Sequence, residues 1–412
     1  MNEPPVFILW DASGIWGLMA LRALRFLDIN CVLVRGKDIA QGALAGKRHE
    51  KALLIVPGGS ARQKLASLKG EGQKELLNWL RGGGEYIGFC GGAGLALADG
   101  LGICPLEREP YAHRLFHLLS GHVIAESAMG KISLPVWWPG RFSWKGAADI
   151  DIQAIYKTHD KDLFIADLPF DLMPPKIIKR LEQQTGQPTK PIFPANQPLA
   201  LSGRFGKGQY FLSYAHLETP ESGDANAWLE KILHQYNPRP LHILPPWNTR
   251  DKQEFSNEIS TSFHASMQKS ARALREMYAL GEKTGLFFPR ASWLFGWRPG
   301  FPGMGLNNLL ACLDTLANLP ACTPAPRSWP KIRIFFESLM NNFIEEGTNC
   351  LWNLKLQIAL NHLHHNLKHP VSADRTETIF GSPLHGKGMI TKIASLCDLW
   401  LFELQEWLFR DH

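Results

Sequence analysis

The sequence holds no Cys-x-x-Cys pair, and its seven cysteines form an odd number with no paired spacing. That pattern argues against a disulfide framework and fits a reduced, cytoplasmic setting. No stretch reaches the roughly 18 consecutive apolar residues of a spanning helix, so no membrane segment is expected. Met1-Asn2-Glu3-Pro4-Pro5 lacks a basic leader, and Val6-Phe7-Ile8-Leu9-Trp10 is too short for the apolar core of a secretion signal. The net charge of +6 is spread thinly and no Lys/Arg block stands out, which leaves no electrostatic case for nucleic acid. Gly82-Gly83-Gly84 is not closed by Gly-Lys-Ser/Thr and precedes an apolar run instead of following one, so it does not read as a phosphate loop. Internal repeats and low-complexity segments are absent from the sequence as well.

What is present describes a globular chain. A length of 412 residues suggests two or three domains, and 45% hydrophobic with 20% charged residues suits large packed cores. Val6–Trp10, Cys31–Val34 and Ala52–Val56 read as buried strands, with helical patterns over Ile15–Leu27 and about 71–81 between them. Continuous apolar strands alternating with helices predict α/β architecture with a mostly parallel, doubly wound sheet. Residues 119–215 are more irregular and predict antiparallel additions to that sheet. Val136-Trp137-Trp138-Pro139-Gly140 reads as a tight aromatic loop, and Ala225–Tyr236 as a closing helix.

Cys90 is the focal residue. The run Glu85-Tyr86-Ile87-Gly88-Phe89-Cys90-Gly91-Gly92-Ala93-Gly94 predicts a strand, a sharp turn and a helix, with the sulfur at the tip. Glycines flanking the tip suit a turn where side chains would clash. This is the nucleophile-elbow pattern with Cys in place of Ser, and a helix N-terminus favours a thiolate. Further along, Gly206 to Glu218 predicts a turn, a strand and then His216-Leu217-Glu218. His216 is the candidate base. Glu218, with the same strand parity, would reach its far ring nitrogen and fix the tautomer. Pro57-Gly58-Gly59, Cys90 and His216 all fall at predicted C-terminal strand ends, where open α/β sheets place their sites. The competing readings are a small core cysteine at a tight turn and an ordinary salt bridge at a strand end.

The Gly-Phe-Cys-Gly-Gly elbow, the earlier Pro57-Gly58-Gly59 and the late His-x-Glu together resemble the class I glutamine amidotransferase superfamily over about residues 5–240. The nearest branch is the biotin-protein ligase N-terminal domain family. That resemblance implies Cys90 as nucleophile attacking a carboxamide carbon, His216 as base and Glu218 as its orienter. It implies oxyanion donors from the backbone N–H of Gly91 and of Gly58 or Gly59. Many relatives read His-Pro-Glu where this chain has His216-Leu217-Glu218. The Gly/Arg-rich loop of the ligase catalytic domain has no counterpart: Ser202-Gly203-Arg204-Phe205-Gly206-Lys207-Gly208 is the nearest string and already forms the turn before His216. A small-molecule amide is the implied substrate, glutamine by default, with an acceptor or synthase protein as partner. No cofactor or metal is expected. The rival readings are a cysteine peptidase of the related intracellular-protease-like branch and a ligand-sensing module without catalysis.

A composition break follows at Asn237-Pro238-Arg239-Pro240 and Leu244-Pro245-Pro246-Trp247-Asn248, which reads as a linker between domains 1–240 and 250–412. Beyond it, helical patterns over about 254–283, 305–318, 330–367 and 389–409 predict an all-α C-terminal domain of no recognised family. His362, His365 and His369 share one helix face beside His364, but with no carboxylate or cysteine partner in sequence they read as a polar face, not a zinc site. Leu396, Trp400, Leu404, Trp407 and Leu408 form one stripe. With Asp398, Glu403 and Glu406 interleaved it reads as core or partner interface, not as a membrane-surface helix.

Overall fold

The computed structural model describes residues 5–45, 52–110, 116–144, 146, 149–189, 192–236, 243–249, 261–297, 303–363, 373–381 and 387–408. The chain divides into two compact units, Met1–Pro245 and Pro246–His412, parting inside the proline-rich run.

The first unit is α/β. Its parallel core uses β1 (Val6–Leu9), β2 (Cys31–Val34), β3 (Leu53–Val56) and β4 (Glu85–Phe89), with helices α1 (Ile15–Phe26), α2 (Gly36–Ala40), α3 (Ala61–Gly82) and α4 (Gly91–Ala96) in the connections. β1 and β3 are buried at every position, as strands covered on both faces must be. The expected helix over 71–81 is longer than its periodicity shows. It starts at Ala61 behind Ser60, whose Oγ accepts the Gln63 N–H at 3.3 Å, and is broken by a non-helical Lys69 (φ 51°, ψ −174°). The polar first half, Arg62-Gln63-Lys64, masks it in the sequence, and Lys64 is in fact fully buried.

The irregular middle of the unit supplies β5 (Leu119–Ser127), β6 (Gly130–Trp137), β7 (Ile150–His159), β8 (Phe164–Ile165), β9 (Leu168–Pro169), α5 (Pro175–Thr185), β10 (Pro198–Phe205), β11 (Gly208–Ser213) and α6 (Gly223–Leu233). Among the described residues the sheet has 11 strands in the order β2-β1-β3-β4-β11-β10-β7-β5-β8-β9, with β6 on β5. β11 is parallel to β4, and from β10 outward the additions are antiparallel, as expected for this stretch. α5 buries none of its residues, so no core stripe announces it. The predicted aromatic loop at 136–140 is partly strand: Val136 and Trp137 end β6, and the turn begins at Trp138 with φ 52°.

The second unit is helical, with α7 (Ser262–Lys283), α8 (Gly303–Ala317), α9 (Trp329–Leu363), α10 (Ala373–Phe380) and α11 (Met389–Glu403). It is not strictly all-α. A short antiparallel hairpin, β12 (Phe287–Pro289) with β13 (Phe295–Trp297), is too brief and aromatic to show a strand period. Of the predicted stripe, Trp400 on α11 and Leu404 and Leu408 just beyond it are buried core residues, while Leu396 and Trp407 are half-buried; the Trp400 ring centroid lies 5.5 Å from Phe263, 5.3 Å from Trp329 and 4.7 Å from Phe336. His364, His365 and His369 lie outside the described residues. Among the described residues there is no cluster of metal-ligating side chains, and no helix is long and apolar enough to cross a membrane.

Candidate functional site

Strand register assembles the site. Val56 pairs with Gly88, so Pro57 follows β3 beside the last residues of β4, and Phe89 pairs with Ser213, the end of β11. Three neighbouring parallel strands thus deliver Pro57-Gly58-Gly59, Cys90 and, after a short connection, His216 to one edge. That is the C-terminal edge where open α/β sheets bind ligands.

Cys90 joins β4 to α4 with φ 45° and ψ −99°, a conformation most residues avoid. Its N–H donates to the Ser213 carbonyl at 2.7 Å, which ties the tip of the turn to β11. The glycines around it are demanded by close approach. A Cβ on Gly91 would lie 1.9 Å from the Gly59 carbonyl oxygen, and one on Gly92 would lie 1.9 Å from that of Val56. Tyr86 Oη donates to the Gly92 carbonyl at 2.7 Å and braces the turn from below. Cys90 is partly exposed, and its Sγ lies 4.0 Å from the Trp137 carbonyl oxygen.

His216 and Glu218 are both buried, and Nδ1 of the imidazole lies 2.7 Å from Glu218 Oε1. Strand parity is not what joins them. β11 stops at Ser213, and residues 216–219 form a turn in which the Thr219 N–H donates to the His216 carbonyl at 3.1 Å. The Thr219 hydroxyl donates to that same carbonyl at 2.8 Å and accepts the Trp137 indole N–H at 3.1 Å. The His216 N–H is held by the Pro135 carbonyl at 2.9 Å, and Trp16 lies against the ring at a centroid distance of 4.2 Å. Burial depresses the imidazole pKa, but the Glu218 carboxylate and then the Cys90 thiol beside it outweigh burial and push it up to about 10. Nε2 is buried, and the Cys90 thiol is the group that acts on the ring besides Glu218. The ring therefore turns one nitrogen to a carboxylate and keeps the other for the cysteine side.

Gly58 stands against the imidazole, and Gly59 against the loop that carries Ala12. A Cβ on Gly58 would meet His216 Cε1 at 2.5 Å, and Gly59, with φ 104°, leaves no room for a Cβ beside the Ala12 carbonyl at 2.1 Å. The loop carrying Ala12 is fixed by Lys64, whose ammonium donates to the Asp11 carbonyl at 2.9 Å and to Ser13 Oγ. The structure brings together all six residues singled out in the sequence: Cys90, His216, Glu218, Gly58, Gly59 and Gly91. Sequence reasoning missed Trp16 and Lys64, whose contacts here are set by chain crossings, and Thr219, whose hydroxyl links the local turn to the distant Trp137 indole. Trp137 was visible only as part of an aromatic run. A cavity of about 300 Å³ opens behind Glu218, lined among others by Met19, Arg22, Arg25, Phe26 and Leu244. Neither Cys90 nor His216 lines it, so it lies apart from the thiol.

Comparison with known proteins places a match inside this edge of the sheet. The family profile described as Biotin-protein ligase, N terminal matches residues 44–99. A crystal structure of a glutamine amidotransferase is similar at TM-score 0.36 and 17% identity, covering 56% of this chain and 98% of that one. The exo-beta-1,4-mannosidase Op5Man5 from Opitutaceae bacterium strain TAV5 is similar at TM-score 0.30 and 13% identity, over 57% of this chain and 34% of the enzyme. A catalytic mutant of the GH42 beta-galactosidase Gan42B from G. stearothermophilus gives TM-score 0.29 and 12% identity, over 60% and 31%. This chain therefore spans about a third of each glycosidase. No curated protein matches the sequence. The chain resembles the biotin-protein ligase N-terminal family, over a stretch that holds both the Pro57-Gly58-Gly59 turn and the Cys90 elbow.

Proposed function

We propose that the first unit is a cysteine amidohydrolase of glutamine amidotransferase type, with glutamine as the substrate that the resemblance implies. The observation that carries this reading is the buried His216–Glu218 pair. One ring nitrogen is bound by Glu218 at 2.7 Å, and the Cys90 thiol beside the ring helps to raise its pKa. In this mechanism the thiol proton already rests on His216 Nε2, in keeping with the raised pKa of the ring, and Cys90 Sγ attacks the carboxamide carbon. The oxyanion is met by the N–H of Gly91 and that of Gly58 or Gly59. Collapse expels ammonia, which leaves with the proton held by His216, and a thioester remains. Water, deprotonated by His216, hydrolyses the thioester and releases the acid. Glu218 keeps Nδ1–H donated and stabilises the imidazolium throughout. The ammonia would pass to an acceptor supplied by a partner protein or by the helical unit.

Labelling tests this better than turnover, because an amidotransferase subunit can await its partner. The purified chain is treated with a glutamine-mimicking diazoketone, with and without glutamine, and the adduct mapped by peptide mass spectrometry. Selective modification of Cys90, suppressed by glutamine and lost in His216→Ala, is expected. Cys322 is exposed and serves as the unactivated control. Cys312 and Cys397 are buried with thiol pKa values raised by burial, and should stay silent. If Cys90 reacts with a plain alkylator but ignores the mimic, glutamine is the wrong substrate. If it reacts no faster than Cys322 with either reagent, the catalytic reading fails and a ligand-sensing module replaces it.

A further inference from the structure

Away from the cysteine site, His122 on β5 sits between a carboxylate and a serine. Its Nδ1 is 2.7 Å from Asp162 Oδ2, and its Nε2 is 2.9 Å from Ser222 Oγ. The other Asp162 oxygen accepts the His122 backbone N–H at 2.9 Å, so one carboxylate fixes both the strand and the ring. The three residues come from distant segments: a β-strand, the turn after β7, and the residue before α6. With Nδ1–H donated to Asp162, Nε2 is an acceptor and the Ser222 hydroxyl donates to it. The alternative acceptor for that hydroxyl, the Pro220 carbonyl, is at 3.5 Å, the outer limit of a hydrogen bond. Nucleophile, base and orienter are thus in hydrogen-bond contact in that order, the arrangement that activates a serine.

Ser222 also occupies a telling position. It is the N-cap residue of the 11-residue α6, yet its side chain makes no cap hydrogen bond. Serine at an N-cap ordinarily accepts a hydrogen bond from the first turn. Here Oγ serves His122 instead, and no side chain of the cap covers the first-turn N–H groups of α6. Such groups are the donors an oxyanion needs. The acid in that turn, Asp224, is engaged by the Ser133 N–H at 2.8 Å.

We propose that Ser222, His122 and Asp162 form a second acyl-transfer site, acting on small carboxylic esters. Ser222 Oγ attacks the ester carbonyl carbon as its proton moves to His122 Nε2. The C–O bond to the leaving group breaks, and that group departs as the alcohol with the His122 proton. Water, deprotonated by His122, then hydrolyses the acyl-serine to the acid and restores the hydroxyl. Ser222 is only 4% exposed while the His122 side chain is 23% exposed, so access runs along the imidazole edge and suits small acyl groups. Asp162, argued to act through His122, is a positioning residue.

The test uses the full chain carrying Cys90→Ala, so that no thiol ester forms at the first site and the outcome does not depend on the amidohydrolase reading. A small alkyl fluorophosphonate and p-nitrophenyl acetate are the probes. Expected are a single phosphonyl adduct on Ser222 and steady p-nitrophenol release abolished by Ser222→Ala. Both rates should fall about a hundredfold in His122→Gln, the scale of a lost general base, and fall again in Asp162→Asn, with melting curves confirming the fold. The proposal is overturned if Ser222 stays unlabelled in the folded protein, if other serines label as fast, or if labelling is unchanged in folded His122→Gln.

Discussion

At the scale of single residues, the site rests on one imidazole held between opposing influences. Burial alone would push His216 below its usual pKa of 6.5, and Glu218 with Cys90 carries it up to about 10 instead. A group whose pKa is raised by folding stabilises the fold fully below its unfolded pKa and loses that contribution as pH climbs through the folded one. The stabilisation from this pair is therefore complete below about pH 6.5 and fades toward pH 10. In Glu218→Gln the main opposing charge is gone, so burial prevails and the His216 pKa should drop below 6.5. Histidine ring NMR titration measures this directly. Urea unfolding of wild type and variant should differ most near pH 6 and converge toward pH 10; an unmoved ring pKa would show that Glu218 does not set it. The identities of Cys90, His216 and Glu218 were legible because glycine context and short spacing announce them. The indole of Trp16 and the buried Lys64 ammonium were not, since each matters through a segment distant in sequence, and the Thr219 hydroxyl joins the neighbouring His216 carbonyl to the distant Trp137 indole.

At the scale of elements, glycines separate positions fixed by packing from positions left free. In the elbow, Gly91→Ala would drive a Cβ to 1.9 Å from the Gly59 carbonyl, a backbone atom that cannot swing away. About 3 kcal/mol of destabilisation is expected from such overpacking, together with loss of Cys90 labelling, because the turn must shift. In α3, Gly82 has nothing within 4 Å of an added Cβ. Gly82→Ala should stabilise by about 0.5–1 kcal/mol through helix propensity, with labelling unchanged. Chemical denaturation reads both, and equal effects at the two positions would mean that the elbow is not tightly packed. The same contrast explains what the sequence revealed of the elements. Buried parallel strands appear as apolar runs and were placed within a residue or so. The first half of α3, all of α5 and the β12–β13 hairpin were not, because a buried lysine, an unburied helix and three-residue aromatic strands break the patterns that hydrophobic periodicity detects.

At the scale of the whole molecule, the two units carry separate cores. That of the first is built on the buried strands of the sheet, and that of the second includes the Phe263–Trp329–Phe336–Trp400 cluster and a buried ion pair between Arg275 and Asp314. Asp314 also accepts from Asn318 Nδ2 at 3.2 Å, and Arg275 Nε donates to the Thr249 carbonyl at 3.3 Å. Both partners are only 6% exposed, so removing one strands the other's charge in the interior. Asp314→Ala should therefore cost the helical unit about 3–5 kcal/mol. Asp314→Asn, which keeps an acceptor, should cost less. Domains with their own cores unfold on their own, so calorimetry of Asp314→Ala should show one transition lowered and a second in place. Cys90 labelling by the glutamine mimic should persist at temperatures between the two. Loss of labelling together with the helical transition would instead mean that the helical unit holds the cysteine site in its reactive geometry.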